Sequence, residues 1–213
     1  MWTDSSKFIV LEGLDGAGTT TQAALLHEHL EKLKTKSLLT REPTDSPIGR
    51  LIRDVLAGRK MRHQLSEREL ALLFAADRLE HSRSIESRRA TGLHVISDRY
   101  LYSSLAYQTL DPSISADWVI EINRGFAVPD LTIYLSVAVD ECLRRISLRK
   151  ENPTIYENRD FLQTISDNYI RLASYYKAHA GPLAMIDGSE PVEDVHRAVL
   201  SALDTKFKGR NTR

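Results

Sequence analysis

The chain has 213 residues, ample for a well-buried core, with 42% hydrophobic and 27% charged residues and a formal net charge of +0. That is an ordinary globular composition, with no overall field to draw the chain onto nucleic acid or an anionic membrane. A single cysteine, Cys142, excludes an internal disulfide framework and any multi-cysteine metal site. Residues 1–6 hold no apolar stretch of signal-peptide length and nothing later approaches a membrane span, so a reduced, soluble, cytoplasmic protein is expected.

Short apolar runs alternate with longer stretches of helical period, which predicts an α/β fold around a five-stranded parallel sheet flanked by helices, formed by one domain over 1–213. The first strand is Phe8-Ile9-Val10-Leu11, followed by a helix with Ala23, Leu26, Leu30 and Leu33 on its buried stripe. The second strand is Ser37-Leu38-Leu39-Thr40; Ser66 and Glu69 then form a capping box opening a long helix through Leu70, Leu73 and Phe74. The third strand is His94-Val95-Ile96-Ser97, and an amphipathic helix lies between Ile114 and Gly125. The fourth strand, Leu131 to Leu135, leads into a helix rich in arginine; Phe161, Ile165, Tyr169, Leu172 and Tyr176 mark the next. Gly181-Pro182 stops that helix before the fifth strand, Leu183 to Ile186, and Pro191 suits the first turn of the last helix. All five strands are apolar enough to be buried on both faces, as parallel strands usually are.

Two strand ends carry chemistry. The first runs into Gly13-Leu14-Asp15-Gly16-Ala17-Gly18-Thr19-Thr20 and then a helix, the context of a phosphate-binding loop. Its glycines let successive N–H groups turn inward, the helix N-terminus adds partial positive charge, and Thr20 stands where a hydroxyl ligates Mg²⁺. Lysine is the usual residue where this chain has Thr19, so a glycine turn without a ligand is the competing reading. The third strand ends in Asp98-Arg99-Tyr100, an acid placed to organise magnesium through water and a guanidinium able to hold phosphate. By itself this could equally be a surface ion pair. The polar, aromatic run Ser103-Ser104-Leu105-Ala106-Tyr107-Gln108 that follows suits base and sugar recognition better than core packing.

Asp98-Arg99-Tyr100, Ser103 and Ala106-Tyr107-Gln108 together resemble the D-R-[YH]-x-x-S-x-x-A-Y-Q stretch of thymidylate kinases. The phosphate loop, Arg41-Glu42-Pro43, Leu72 to Arg78, and Pro129-Asp130-Leu131-Thr132 agree with that family in the same order. The resemblance implies a P-loop NTPase fold, ATP as co-substrate, Mg²⁺, dTMP as acceptor, and a homodimer with no nucleic-acid or membrane partner. Carried onto this chain, it implies ATP contacts from Gly13, Asp15, Gly16, Ala17, Gly18, Thr19, Thr20 and Arg145. For dTMP it implies that Asp15 accepts from the 3′-hydroxyl, Phe74 stacks on thymine and Arg78 donates to O4. Ser103 and Ser104 lie where polar groups meet the nucleotide, with Ser104 at N3; Tyr107 crowds the 2′ position, and Gln108 belongs to the same segment. Arg99 holds the acceptor phosphate, with Arg41 and Arg53 as further candidates.

The segment 144–157, with Arg144, Arg145, Arg149 and Lys150, resembles the short mobile lid of nucleoside monophosphate kinases. Glu157 matches the family but the arginine usually found shortly before it is absent, and Gly16 rather than arginine stands in the phosphate loop. Arg149, with Arg145 or Lys150, is therefore expected to supply the charge that Thr19 cannot. Two alternatives remain: an adenylate, guanylate or uridylate kinase, and a nucleotide-binding module whose catalysis is impaired at Thr19. Cys142 reads as a structural thiol and Trp118 as a packing residue.

Overall fold

The computed structural model describes residues 5–59, 65–148 and 158–208. Five parallel strands, β1 (Phe8–Gly13), β2 (Ser37–Arg41), β3 (His94–Asp98), β4 (Leu131–Ser136) and β5 (Leu183–Asp187), form one sheet in the order β2-β3-β1-β4-β5. The helices are α1 (Thr19–Lys32), α2 (Pro47–Leu56), α3 (Glu67–Ala90), α4 (Leu101–Gln108), α5 (Ala116–Ile122), α6 (Val139–Ser147), α7 (Arg159–His179) and α8 (Val192–Lys208). Helices α1 and α8 pack on each other and on the sheet, while α3, α4 and α7 form a second layer in contact with it.

Register decides where chemistry can gather. Leu11 lies opposite Asp98, Arg41 also lies opposite Asp98, and Gly13 lies opposite Leu135. The carboxyl ends of β1, β2 and β3 therefore open on one edge, at the crevice where open α/β sheets take ligands. Central strand β1 is buried at every position. The expectation that all five strands are buried on both faces fails at the two edges: Leu39 of β2 is 37% exposed and Met185 of β5 is 45% exposed. Each has a sheet neighbour on one side only.

The stripe expected on α1 also ends one residue early. Leu33 is the C-cap and is 47% exposed. Lys34 (φ 56°) turns the chain, and Thr35 N donates to Leu30 O at 2.9 Å, a Schellman-type ending without glycine. Helix α2, which the periodic reading passed over, is capped by Ser46 and starts with proline at its first turn. Its Ile52 and Val55 join Leu70 of α3 in a small satellite core, against which Phe74, Leu56 and Leu73 pack. Beneath β1 and β4 the main core holds Tyr102, Tyr134, Tyr169 and Tyr176, with neighbouring ring centroids 4.5–6.0 Å apart.

Candidate active site

The loop after β1 is shaped by two left-handed glycines, Gly16 (φ 85°) and Gly18 (φ 98°). A Cβ on Gly16 would stand 2.5 Å from the Cys142 carbonyl oxygen, so α6 seals that side of the loop and leaves no room for a side chain. Gly18 caps α1 with no side-chain bond, which leaves the first amides of the helix to the loop. Thr19 is buried, with its Cγ2 3.2 Å from where a Cβ on Gly13 would lie. Thr20 is exposed and its hydroxyl donates to Asp98 Oδ2 at 2.5 Å. Asp98 Oδ1 is buried without a hydrogen-bond partner. A hydroxyl beside a carboxylate with one unused oxygen, at the mouth of a phosphate loop, fits a hard cation that keeps most of its waters.

After β3 the chain turns sharply through Arg99, which adopts φ 70° although it carries a side chain. Three contacts fix that turn: Arg99 N donates to Leu11 O (2.8 Å), Ser97 Oγ donates to Arg99 O (2.8 Å), and Tyr100 N donates to Glu12 Oε1 (2.8 Å). The guanidinium donates to Ser103 Oγ at 3.1 Å and to the Asp15 carboxylate, and lies 5.8 Å from the Tyr107 ring centroid. Glu12 is fully buried, and burial raises its carboxyl from the ordinary 4.5 to about 7 although Ser103 and Arg99 pull the other way.

A cavity of about 530 Å³ runs from this turn to the satellite core. One end is polar, with Asp15, Arg99, Ser103 and Tyr107; the other, at the satellite core, has Phe74, Leu56 and Leu70. Between them Arg78, only 1% exposed, lies among four acceptors: Glu42 Oε2 (2.8 Å), Asn123 Oδ1 (2.7 Å), Ser104 Oγ (2.9 Å) and Tyr100 O (3.4 Å). Glu42 is in turn bonded to His81 Nδ1 at 2.9 Å, and His81 Nε2 to Thr40 Oγ1 at 2.9 Å. Gln108 Oε1 is buried and unpartnered beside the same space. A flat apolar face, fixed cationic donors and one unused acceptor are what a planar heterocycle with an anionic tail requires.

The family model for thymidylate kinase matches residues 11–199. The chain belongs to the thymidylate kinase family. A probable thymidylate kinase of Methanococcus aeolicus is 38% identical over 203 residues, covering 94% of this chain and 97% of that one. One of Thermococcus onnurineus is 39% identical over 209 residues, covering 95% and 100%. The solved structure of the Candida albicans thymidylate kinase matches with a TM-score of 0.80 and 26% identity over 94% of this chain and 92% of that one. The five-stranded parallel sheet is accordingly that of the P-loop NTPase fold.

Within this thymidylate kinase frame the structure gathers Asp15, Phe74, Arg78, Arg99, Ser103, Ser104, Tyr107 and Gln108 around one cavity. It does not bring Arg41 and Arg53 to that wall. Both converge on Asp45 Oδ1, at 3.1 and 2.9 Å, and Arg53 also holds the carbonyls of Pro43 and Thr44. Arg145 lies along the phosphate loop, donating to Ala17 O (3.4 Å), Gly188 O (3.1 Å) and Glu141 Oε1 (2.7 Å); Arg144 pairs with Glu141 at the surface. Arg149, Lys150 and Glu157 lie outside the described residues. Cys142 is buried and free, and Trp118 packs on the core beneath Arg68, whose guanidinium carbon is 4.5 Å from its ring centroid.

Sequence reasoning missed Glu12, Asn123 and Asp77. The signal for Glu12 was an acid closing an otherwise apolar, buried strand. Asp77, 1% exposed, accepts from Thr44 N (2.8 Å), Thr44 Oγ1 (2.5 Å) and Ser46 Oγ (2.8 Å), and so holds the turn that starts α2.

Proposed function

We propose that this chain transfers the γ-phosphoryl group of ATP to thymidine monophosphate, giving the diphosphate. The observation that carries the reading is the junction of two subsites at the Asp15–Arg99 pair. The phosphate loop leads up to it from the donor side, and the cavity walled by Phe74 and Arg78 leads up to it from the acceptor side.

In this reading the amides of residues 13–20 cradle the donor phosphates and Arg99 grips the acceptor phosphate, while Arg41 and Arg53 stay on Asp45, away from the cavity wall. Phe74 stacks on the base, Arg78 donates to its O4, and Ser104 and Gln108 serve N3; Ser103 holds Arg99 in place. Asp15 accepts from the 3′-hydroxyl, and Tyr107 disfavours a 2′-hydroxyl. Thr20 and Asp98 would hold Mg²⁺, Asp98 through water, and the ion would supply neutralisation of phosphate charge. The attacking oxygen is already ionised, so Asp98 has no proton to remove and positioning does most of the work. Arg149 and Lys150, with Arg145 on the loop, supply the cationic charge that Thr19 lacks. A homodimer in the cytoplasm, with no nucleic-acid partner, completes the reading.

The test is ADP release with ATP and Mg²⁺, comparing dTMP with dUMP, dCMP, dGMP and AMP. Turnover on dTMP far above the others is the expected result. Preference for another monophosphate, or binding of dTMP without turnover, would overturn it.

A further inference from the structure

Helix α4 carries most of the acceptor wall, yet it has no cap of its own. Its N-cap residue, Tyr100, makes no side-chain cap bond. The missing acceptor comes from another element: Glu12, at the end of β1, is 0% exposed and spans the first turn of α4. Its Oε1 accepts from Tyr100 N (2.8 Å) and Ser103 N (3.1 Å), the N-cap amide that a Glu at the third helical position normally serves and the third-position amide that an N-cap Ser or Asp normally serves. Its Oε2 accepts from Ser103 Oγ (2.6 Å) and Tyr169 OH (3.2 Å). Ser103 Oγ in turn accepts from Arg99 Nη1 at 3.1 Å. The carboxyl thus holds both sides of the left-handed turn at Arg99: the amide that follows it, and the hydroxyl that receives its guanidinium.

We propose that Glu12 is a positioning residue for the acceptor monophosphate, capping α4 from the neighbouring strand and thereby holding Arg99 and Ser103 toward the cavity. It does not line the cavity itself and touches substrate only through these two side chains. A left-handed arginine costs about 1–2 kcal/mol in sterics, so the turn persists only while its surroundings hold it. The groups facing the carboxyl are Arg99 from the turn, Tyr102 from α4, Tyr134 from β4, and Tyr169 and Tyr176 from α7.

This inference rests on the acceptor role proposed for the cavity, and one experiment separates the two. The substitution is E12Q, nearly isosteric, with E12A as the more severe variant. Michaelis constants for dTMP and ATP are measured separately, dTMP affinity is measured by calorimetry without ATP, and folding is followed by thermal melting. Glutamine keeps an acceptor for the two amides but presents an NH₂ group to Ser103 and Tyr169. Loss of one charge-assisted bond to Ser103 predicts that the KM and Kd for dTMP rise about tenfold in E12Q.

The KM for ATP should stay within a few-fold of wild type, and the melting temperature at pH 8 should not fall. Glu12 precedes Gly13, so a merely structural lesion in β1 would disturb the phosphate loop and raise both Michaelis constants together. Parallel rises, or an unchanged dTMP affinity, overturn the positioning role. If wild type itself neither bound nor phosphorylated dTMP, the acceptor reading would fail instead. Should E12A not fold, E12Q alone decides.

Discussion

The titration of Glu12 predicts an unusual pH dependence of stability. Its carboxyl is raised from the ordinary 4.5 to about 7 because burial outweighs the donors around it. Between those values the folded state binds the proton more tightly than the unfolded chain, so stability falls as pH rises. The favourable contribution is complete below 4.5 and is lost as pH climbs through 7. At 1.36 kcal/mol per pH unit, the whole window is worth about 3 kcal/mol.

Glutamine cannot ionise, so E12Q lacks this dependence. The assay is urea unfolding of wild type and E12Q, followed by circular dichroism at several values between about pH 5.5 and about pH 8. The difference between the two proteins should move by about 2 kcal/mol in favour of E12Q as pH rises. Other titrating groups, such as His94 and His196, whose burial lowers their pKa, are present in both proteins and cancel in the difference. A difference flat across the range, or one that favoured wild type at high pH, would refute the reasoning.

Three further outcomes can be checked. E42A leaves the Arg78 guanidinium buried without its carboxylate, and urea unfolding should show a loss of about 3–5 kcal/mol, with a raised KM for dTMP. G16A places a Cβ on a left-handed residue and 2.5 Å from the Cys142 carbonyl, and it should lower stability by at least about 2 kcal/mol and weaken ATP binding, measured by melting and ATP KM. The double variant R149A/K150A should keep its fold but lose turnover by at least about tenfold; a rate within a few-fold of wild type would remove these residues from the mechanism.

The fold was legible because parallel strands announce themselves as short apolar runs, and the phosphate loop because glycine, strand and helix must follow one another in sequence. The cavity-lining residues proposed to recognise the base could be singled out together because they cluster in two helical segments, around Phe74 and Arg78 and around Ser103 to Gln108. What stayed hidden depends on distance along the chain. Glu12 finds its donors 88, 91 and 157 positions away, beyond any periodic pattern. Asn123 reaches Arg78 across 45 positions, from the C-cap of a short helix that read only as amphipathic. Arg41 was placed by its motif, but side-chain direction at the end of an edge strand is not written in a motif, and it turns to Asp45. The burial expected of β2 and β5 failed for a related reason, since strand order decides which strands are edges.

Three buried acids support the cavity: Glu12 under α4 and Asp77 under the turn that opens α2 stand behind it, and Glu42 lines it beside Arg78. Each fixes a different part of the surroundings, so the side chains that line the cavity are oriented by carboxylates to which the proposed reaction gives no step. Their removal should nonetheless act in opposite directions on stability. The direct donors to Glu12 are backbone amides and hydroxyls, which are neutral, and a neutral isostere at high pH removes a desolvated charge while leaving none unpaired. Glu42 faces a guanidinium that cannot discharge, and its loss leaves an uncompensated buried cation. If E12Q gained stability at pH 8 while dTMP affinity fell, and E42A lost both, anchoring and stability would be separable functions at Glu12 and inseparable at Glu42. Identical behaviour in the two variants would mean that Arg99, rather than the neutral donors, dominates the environment of Glu12.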